Sequence, residues 1–178
     1  PCGERDRARA SAMGHEGRAA ALYWSGVALL LPEALGFPGR CTRNAADPVN
    51  QSFNYVYGCL YPMVWRALAL AGMDPFVGIL HGSERASASL VFDLIEEFRC
   101  GFADRVVLSL IGRGFRPELG RDGMLRGRIR RALLGAFQGA ARRRVEWCGA
   151  RSDLRGLLDR RARRLGEVFR DGHGESPA

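Results

Sequence analysis

A chain of 178 residues with 47% hydrophobic content is long enough for one domain with a proper core, or two small ones, and is too apolar to be disordered. Its longest apolar run, Val27 to Pro32 after Tyr23 and Trp24, is far short of the roughly 18 residues a membrane span needs. No signal peptide is visible either, so a soluble, cytoplasmic protein is expected. The net charge of +8 is carried by Arg alone, with no Lys, and it is lopsided: residues 1–100 hold nine Arg against ten Asp and Glu, residues 101–178 eighteen against nine. A basic half beside an acidic cluster suits a protein that acts on a polyanion, although the same arginines would also serve as plain solvated helix faces. The five cysteines (Cys2, Cys41, Cys59, Cys100, Cys148) are odd in number and never in Cys-x-x-Cys spacing, which speaks against a disulfide framework and a structural zinc site. A first residue of Pro1 points to a piece of a longer or processed polypeptide.

Nearly every segment reads as helix. Residues 11–31 place Ala19, Ala20, Tyr23, Val27 and Leu30 on one stripe, with Glu16 in line with it. Pro32, Gly36, Pro38 and Gly39 break the pattern into a loop over 32–46. Asp47-Pro48 is a helix start, Asp as N-cap and Pro at the first helical position, and Gly72 is the stop, with a kink expected at Pro62. Asp74 to His81 is a connector and Gly82 to Ser87 a polar loop; an acid-bearing helix follows over 89–99, then an apolar one over 103–110. After an interruption around 112–123, helices are expected over 124–147 and 152–169, with Arg clusters at 126–131, 142–144 and 160–164. No strand-rich segment is evident, and the tail 171–178 is expected to be disordered. The pattern predicts an all-α helical bundle over residues 1–170.

The acid helix carries the chemistry. Asp93, Glu96 and Glu97 share one face, opposite Val91, Leu94, Ile95 and Phe98, and like charges at i, i+3 and i+4 repel unless a cation sits among them. With the imidazole of His81 upstream and Glu16 on its apolar stripe, a divalent metal is one reading; mostly oxygen donors with one nitrogen suit Mg²⁺ or Mn²⁺ better than zinc. The plainer reading is a hydrogen-bonded loop histidine, a solvated acidic face, and a first-turn helix acid at Glu16.

Four ordered motifs weigh between these readings. They are His15-Glu16-Gly17 with Tyr23-Trp24; Asp47-Pro48-Val49-Asn50 with Asn54-Tyr55, Tyr57 and Leu60-Tyr61; Ala71-Gly72-Met73-Asp74-Pro75-Phe76 with Gly78, Leu80 and His81; and Ser89-Leu90-Val91-Phe92-Asp93-Leu94 with Glu96-Glu97-Phe98-Arg99 and Asp104-Arg105. Together they resemble the C-terminal helical domain of the CRISPR adaptation integrases, the Cas-one family, over about residues 13–170. The resemblance implies Glu16, His81 and Glu96 as metal ligands, Asp93 as an auxiliary catalytic acid, and Asn50, Asn54 and Tyr61 lining the cleft. It implies Mg²⁺ or Mn²⁺ as cofactor, and Arg121, Arg126 and Arg128 as contacts to DNA phosphates. The implied reaction joins the 3′-hydroxyl ends of spacer DNA to repeat phosphodiesters by transesterification. Implied partners are double-stranded DNA, a Cas-two family protein and a second copy in the intact protein. The chain departs from the family pattern at Cys100, where a Pro usually follows Phe-Arg, in its ending, and in lacking the N-terminal β-rich domain. A plain metal-dependent nuclease and a non-catalytic basic DNA-binding module are the alternatives.

Overall fold

The computed structural model describes residues 2–76 and 88–171. The expectations for His81, for the polar loop before the acid helix and for a disordered tail lie outside the described residues.

Helix α2 (Pro48–Leu70) is the axis of the molecule. Val49, Phe53, Val56, Leu60 and Val64 recur every three or four residues and are all 0% exposed, so one continuous stripe is sealed by its neighbours. Both ends are built as their residues dictate. Asp47 Oδ1 accepts from the Asn50 amide at 2.8 Å at the N-cap, with Pro48 in the first turn. At the other end Gly72 takes φ 71°, which lets the Met73 amide reach back to the Leu68 carbonyl and the Gly72 amide to Ala69, at 3.0 and 3.1 Å. That is the Schellman closure, which needs a left-handed residue where glycine costs least. The helix is continuous through Pro62, which stands on the exposed side with Gly58, so the turn that loses an amide faces water.

Helices α3 (Ser89–Phe98), α4 (Arg105–Gly112), α5 (Gly127–Ala141) and α6 (Leu154–Asp171) all pack on α2. The long α1 (Cys2–Leu30) and a 3-10 turn (Glu33–Leu35) precede them. The sequence expectation of a helix from residue 11 falls short, because the Arg-, Glu- and Ala-rich residues before it are good helix formers. The apolar stripe of α1 is also rotated from the expected one: Trp24, Val27 and Leu31 are buried, whereas Leu30 is 74% exposed. Trp24 meets the Phe53 ring edge-on at 5.1 Å, which fixes the C-terminal half of α1 to the axis.

The acid helix ends at Phe98, within one residue of the expectation, and Arg99–Asp104 forms a π-helical turn that leads directly into α4. One expectation for the second half is overturned. The helix expected over 124–147 stops at Ala141, and an antiparallel hairpin follows, β1 (Val145–Trp147) paired with β2 (Ala150–Ser152). Cys148 and Gly149 turn it with φ of 47° and 73°, the both-positive pattern of a two-residue hairpin loop. The hairpin is held by Trp147, whose ring stacks on Phe98 at 5.6 Å and 15° and lies directly against Gly101 of the π turn. A side chain at position 101 would occupy the ring's place.

Candidate active site

The acids of α3 have separate fates. Glu96, half-buried, accepts from Arg99 Nη1 at 2.7 Å, while Glu97 accepts from Arg161 Nε and Nη2 of α6 at 2.6 and 2.8 Å. Glu97 therefore fastens α3 to α6, and Glu96 and Asp93 are the half-buried acids of the helix. Glu16 is exposed on α1 and does not lie on a buried stripe as the sequence suggested: residues 14–19 are all exposed, and burial begins at Ala20. At the head of the acid helix the Leu90 amide donates to the Pro75 carbonyl at 3.0 Å.

Sequence reasoning missed the residue that organises this region. Asp104, at the end of the π turn, is 0% exposed. Its Oδ2 accepts from the Tyr23 hydroxyl of α1 at 2.8 Å, and its Oδ1 accepts a short hydrogen bond from the Tyr57 hydroxyl of α2. Burial pushes the Asp104 carboxyl above its ordinary value, and the two tyrosines with Arg99 and Arg40 only partly offset that. Both phenols are raised, first by burial and then by the Asp104 charge, so they remain donors. The guanidinium groups of Arg40 and Arg99 lie over the Tyr57 ring at 5.1 and 5.8 Å. Burial works against the charge on Arg99, yet Glu96, Tyr57 and Asp104 outweigh it and raise its value. Burial, helped by Asp104, also raises the Cys100 thiol, which disfavours a nucleophilic thiolate there. Two signals for this network were present in the sequence: an Asp among Ala103, Val106 and Val107 on an apolar helix, and a Tyr in each of the two earlier motifs.

The network sets the register of the two acid-bearing helices. Glu16 stands seven residues before Tyr23 and Glu96 eight before Asp104, so each lies about two turns ahead of the bonded pair. Carboxylate oxygens at Glu16, Glu96 and Asp93 suit a hard divalent cation. Among the described residues no group of three His, Cys, Asp or Glu side chains stands close enough to hold one, and the imidazole of the expected set, His81, is outside them.

The three residues expected in the cleft are placed differently from one another. Asn50 is fully buried and pins the preceding loop: Oδ1 accepts from the Cys41 amide at 2.9 Å and from Arg40 Nη1 at 3.0 Å, while Nδ2 donates to Gly39 O and Asp47 Oδ2, each at 2.8 Å. Asn54 takes Arg40 Nη2 at 2.6 Å and donates to Thr42 O at 3.1 Å. Tyr61, half-buried, lies 5.6 Å from the Phe92 ring and 6.0 Å from Trp65. Of the expected phosphate contacts, Arg121 is exposed, whereas Arg126 and Arg128 share Glu118 at 3.6 and 2.6 Å.

A family model described as CRISPR associated protein Cas1 matches residues 4–139. The chain is 46% identical over 100 residues to the CRISPR-associated endonuclease Cas1 1 of Saccharolobus solfataricus, covering 55% of this chain and 28% of that protein. Among solved structures, it is similar to a casposase bound to its integration product, with a TM-score of 0.79 and 26% identity over 92% of this chain and 48% of that one. It is also similar to a chain of a Cas6-RT-Cas1–Cas2 complex, with a TM-score of 0.76 and 27% identity over 92% of this chain and 19% of the other. The chain thus spans less than half the length of each of these proteins. With the family model running from α1 into the last turn of α5 and the fold matched over 92% of the chain, this chain belongs to the Cas1 family of CRISPR-associated proteins.

Proposed function

We propose that the chain is the catalytic helical part of a CRISPR adaptation integrase, which joins a DNA 3′-hydroxyl to a phosphodiester of repeat DNA. In that reaction a bond forms between the attacking 3′-oxygen and phosphorus as the bond from phosphorus to the leaving 3′-oxygen breaks, with no covalent protein intermediate. The observation that carries the reading is the Tyr23–Asp104 pair, which keys Glu16's helix to Glu96's helix in a chain of the Cas1 family. Glu16, Glu96 and His81 are the proposed ligands of Mg²⁺ or Mn²⁺, with Asp93 as the auxiliary acid. A bound divalent ion supplies Lewis-acid polarisation of the phosphate and stabilises charge on the entering and leaving oxygens.

The protein's own groups do the rest. Arg99, bonded to Glu96, orients that carboxylate. Arg121, Arg126 and Arg128 grip phosphates, positioning the duplex without reading its bases. Asn54 and Tyr61 face the strand along α2, and Asn50 secures the loop beneath them. The similar structures, one bound to an integration product and one a complex with Cas2, support double-stranded DNA and a Cas2-family protein as partners; a second copy of the chain in the intact protein is part of the same proposal.

The test is strand transfer of a labelled oligonucleotide into supercoiled repeat DNA in Mn²⁺. Parent protein joins the oligonucleotide, and Glu96→Ala and His81→Ala lose joining by at least a hundredfold with helix content unchanged. DNA cut but never joined would point to a plain nuclease, and undiminished joining in both variants would remove the metal site.

A further inference from the structure

Of the arginines at 160–164 only Arg161, through Glu97, touches the site above. They border a groove of about 990 Å³ between the end of α3, the hairpin and α6, lined by Arg160, Arg161, Arg163 and Arg164 together with Trp147 and Leu157. Only two acids reach it, Glu97 and Glu167, and Glu97 is already held by both prongs of Arg161. Arg160, Arg163 and Arg164 are exposed and form no ion pair among the described residues; Arg163 Nε donates to the Asp159 carbonyl at 3.1 Å, which fixes its stem along the helix. Arg160 and Arg164 are one turn apart on the same face of α6. The hairpin makes the opposite wall with Trp147, Cys148, Gly149 and Ser152, none of them acidic. The wall itself is fixed, since Trp147 is stacked on Phe98.

We propose that this groove is a second DNA-binding site, which takes the phosphodiester backbone of a duplex beyond the segment engaged at the acid helix. Guanidinium groups bind phosphate oxygens two at a time, and contacts to phosphate carry no sequence information, so the site adds affinity and not sequence choice. An acidic peptide is the poorer fit, because the cations form an extended like-charged line instead of discrete sockets, the footprint of a continuous polyanion. The choice of DNA as the polyanion rests on the proposed function; the groove's affinity for it does not depend on catalysis.

The experiment is fluorescence anisotropy with a labelled duplex of random sequence, titrated between 50 and 200 mM salt. Arg160→Ala/Arg164→Ala, whose side chains are exposed and outside any ion pair, should weaken binding about tenfold at the low-salt end and flatten the log–log salt slope by about 1.8, the loss of two phosphate contacts. Arg160→Lys/Arg164→Lys should recover most of that slope, and circular dichroism should show unchanged helix in both. Absence of duplex binding by the parent, or a double-alanine variant with the parent's affinity and slope, overturns the proposal. Failure of the integrase reading looks different: the parent then binds with the expected arginine dependence but joins nothing.

Discussion

The Tyr23 hydroxyl donates to Asp104 Oδ2 at 2.8 Å across 81 residues of sequence, and it is this bond that brings the first helix to the π turn below the acid helix. A hydrogen bond to a charged group contributes about 1.5–3 kcal/mol. Tyr23→Phe should therefore lower unfolding free energy by about that amount in urea titration. Because the pair keys two acid-bearing helices, strand transfer should fall more than the lost stability explains when measured well below the melting temperature. Equal strand transfer per folded molecule would make the bond purely structural.

Asp104 also gives the fold a pH dependence of known sign. Burial raises its carboxyl in the folded state, so the native chain holds a proton that the unfolded chain has already released. Its contribution to stability is greatest below the ordinary carboxylate value, falls as pH rises through the raised one, and is constant beyond it. Asp104→Asn lacks this dependence. Urea midpoints compared upward from about pH 4, the unperturbed carboxylate region, should shift in favour of the variant as pH rises; a shift toward the parent would contradict the assignment.

Gly101 and Trp147 should behave as a coupled pair. Gly101→Ala pushes a methyl into the indole and should cost about 1–3 kcal/mol. Trp147→Ala should cost a comparable amount by freeing the hairpin from Phe98. In the double variant the methyl fills vacated space, so thermal melts should show a combined loss well below the sum.

Glu96 and Glu97 are adjacent in sequence and should part completely in assay. Glu97→Gln weakens a surface pair with Arg161, in which both side chains are about 40% exposed, and such pairs contribute about 0–1 kcal/mol. Its joining activity should stay within about threefold of the parent, whereas Glu96→Gln abolishes it.

Asn50→Ala strands the Cys41 amide, the Gly39 carbonyl and a guanidinium together. Buried groups left without partners cost about 1–3 kcal/mol each before relaxation, so the guanidinium chloride midpoint should drop sharply while duplex affinity of the folded fraction changes little. Asn54→Ala, which leaves Asn50 in place, should reverse that balance.

The parts of this structure readable from sequence are those whose causes are local. Asp47-Pro48 and Gly72 bound α2 because capping is settled within a few residues, and the apolar period of α2 and α3 needs nothing beyond one helix. The motif order carried the family and its helical fold. What stayed hidden depends on distant partners: Asp104 means little until Tyr23 and Tyr57 arrive from 81 and 47 residues away. The partner of Glu97 is hidden in the same way until α6 brings Arg161, 64 residues on. Strands of three residues have no measurable alternation, so the hairpin at Val145 was read as the end of a helix.

The exposed turns of α1 around Glu16 give the protein a lever. Glu16 is about 10 Å along the helix from its fastening at Tyr23, so a tilt of about 5° at that point carries the carboxylate about 0.9 Å sideways. A misplacement of about 1 Å can cost a hundredfold in rate. The position of Glu16 is thus an angular quantity, set where Trp24 abuts Phe53 and Tyr23 meets Asp104. A partner that steadied this part of α1 would hold the Glu16 carboxylate in place from a distance.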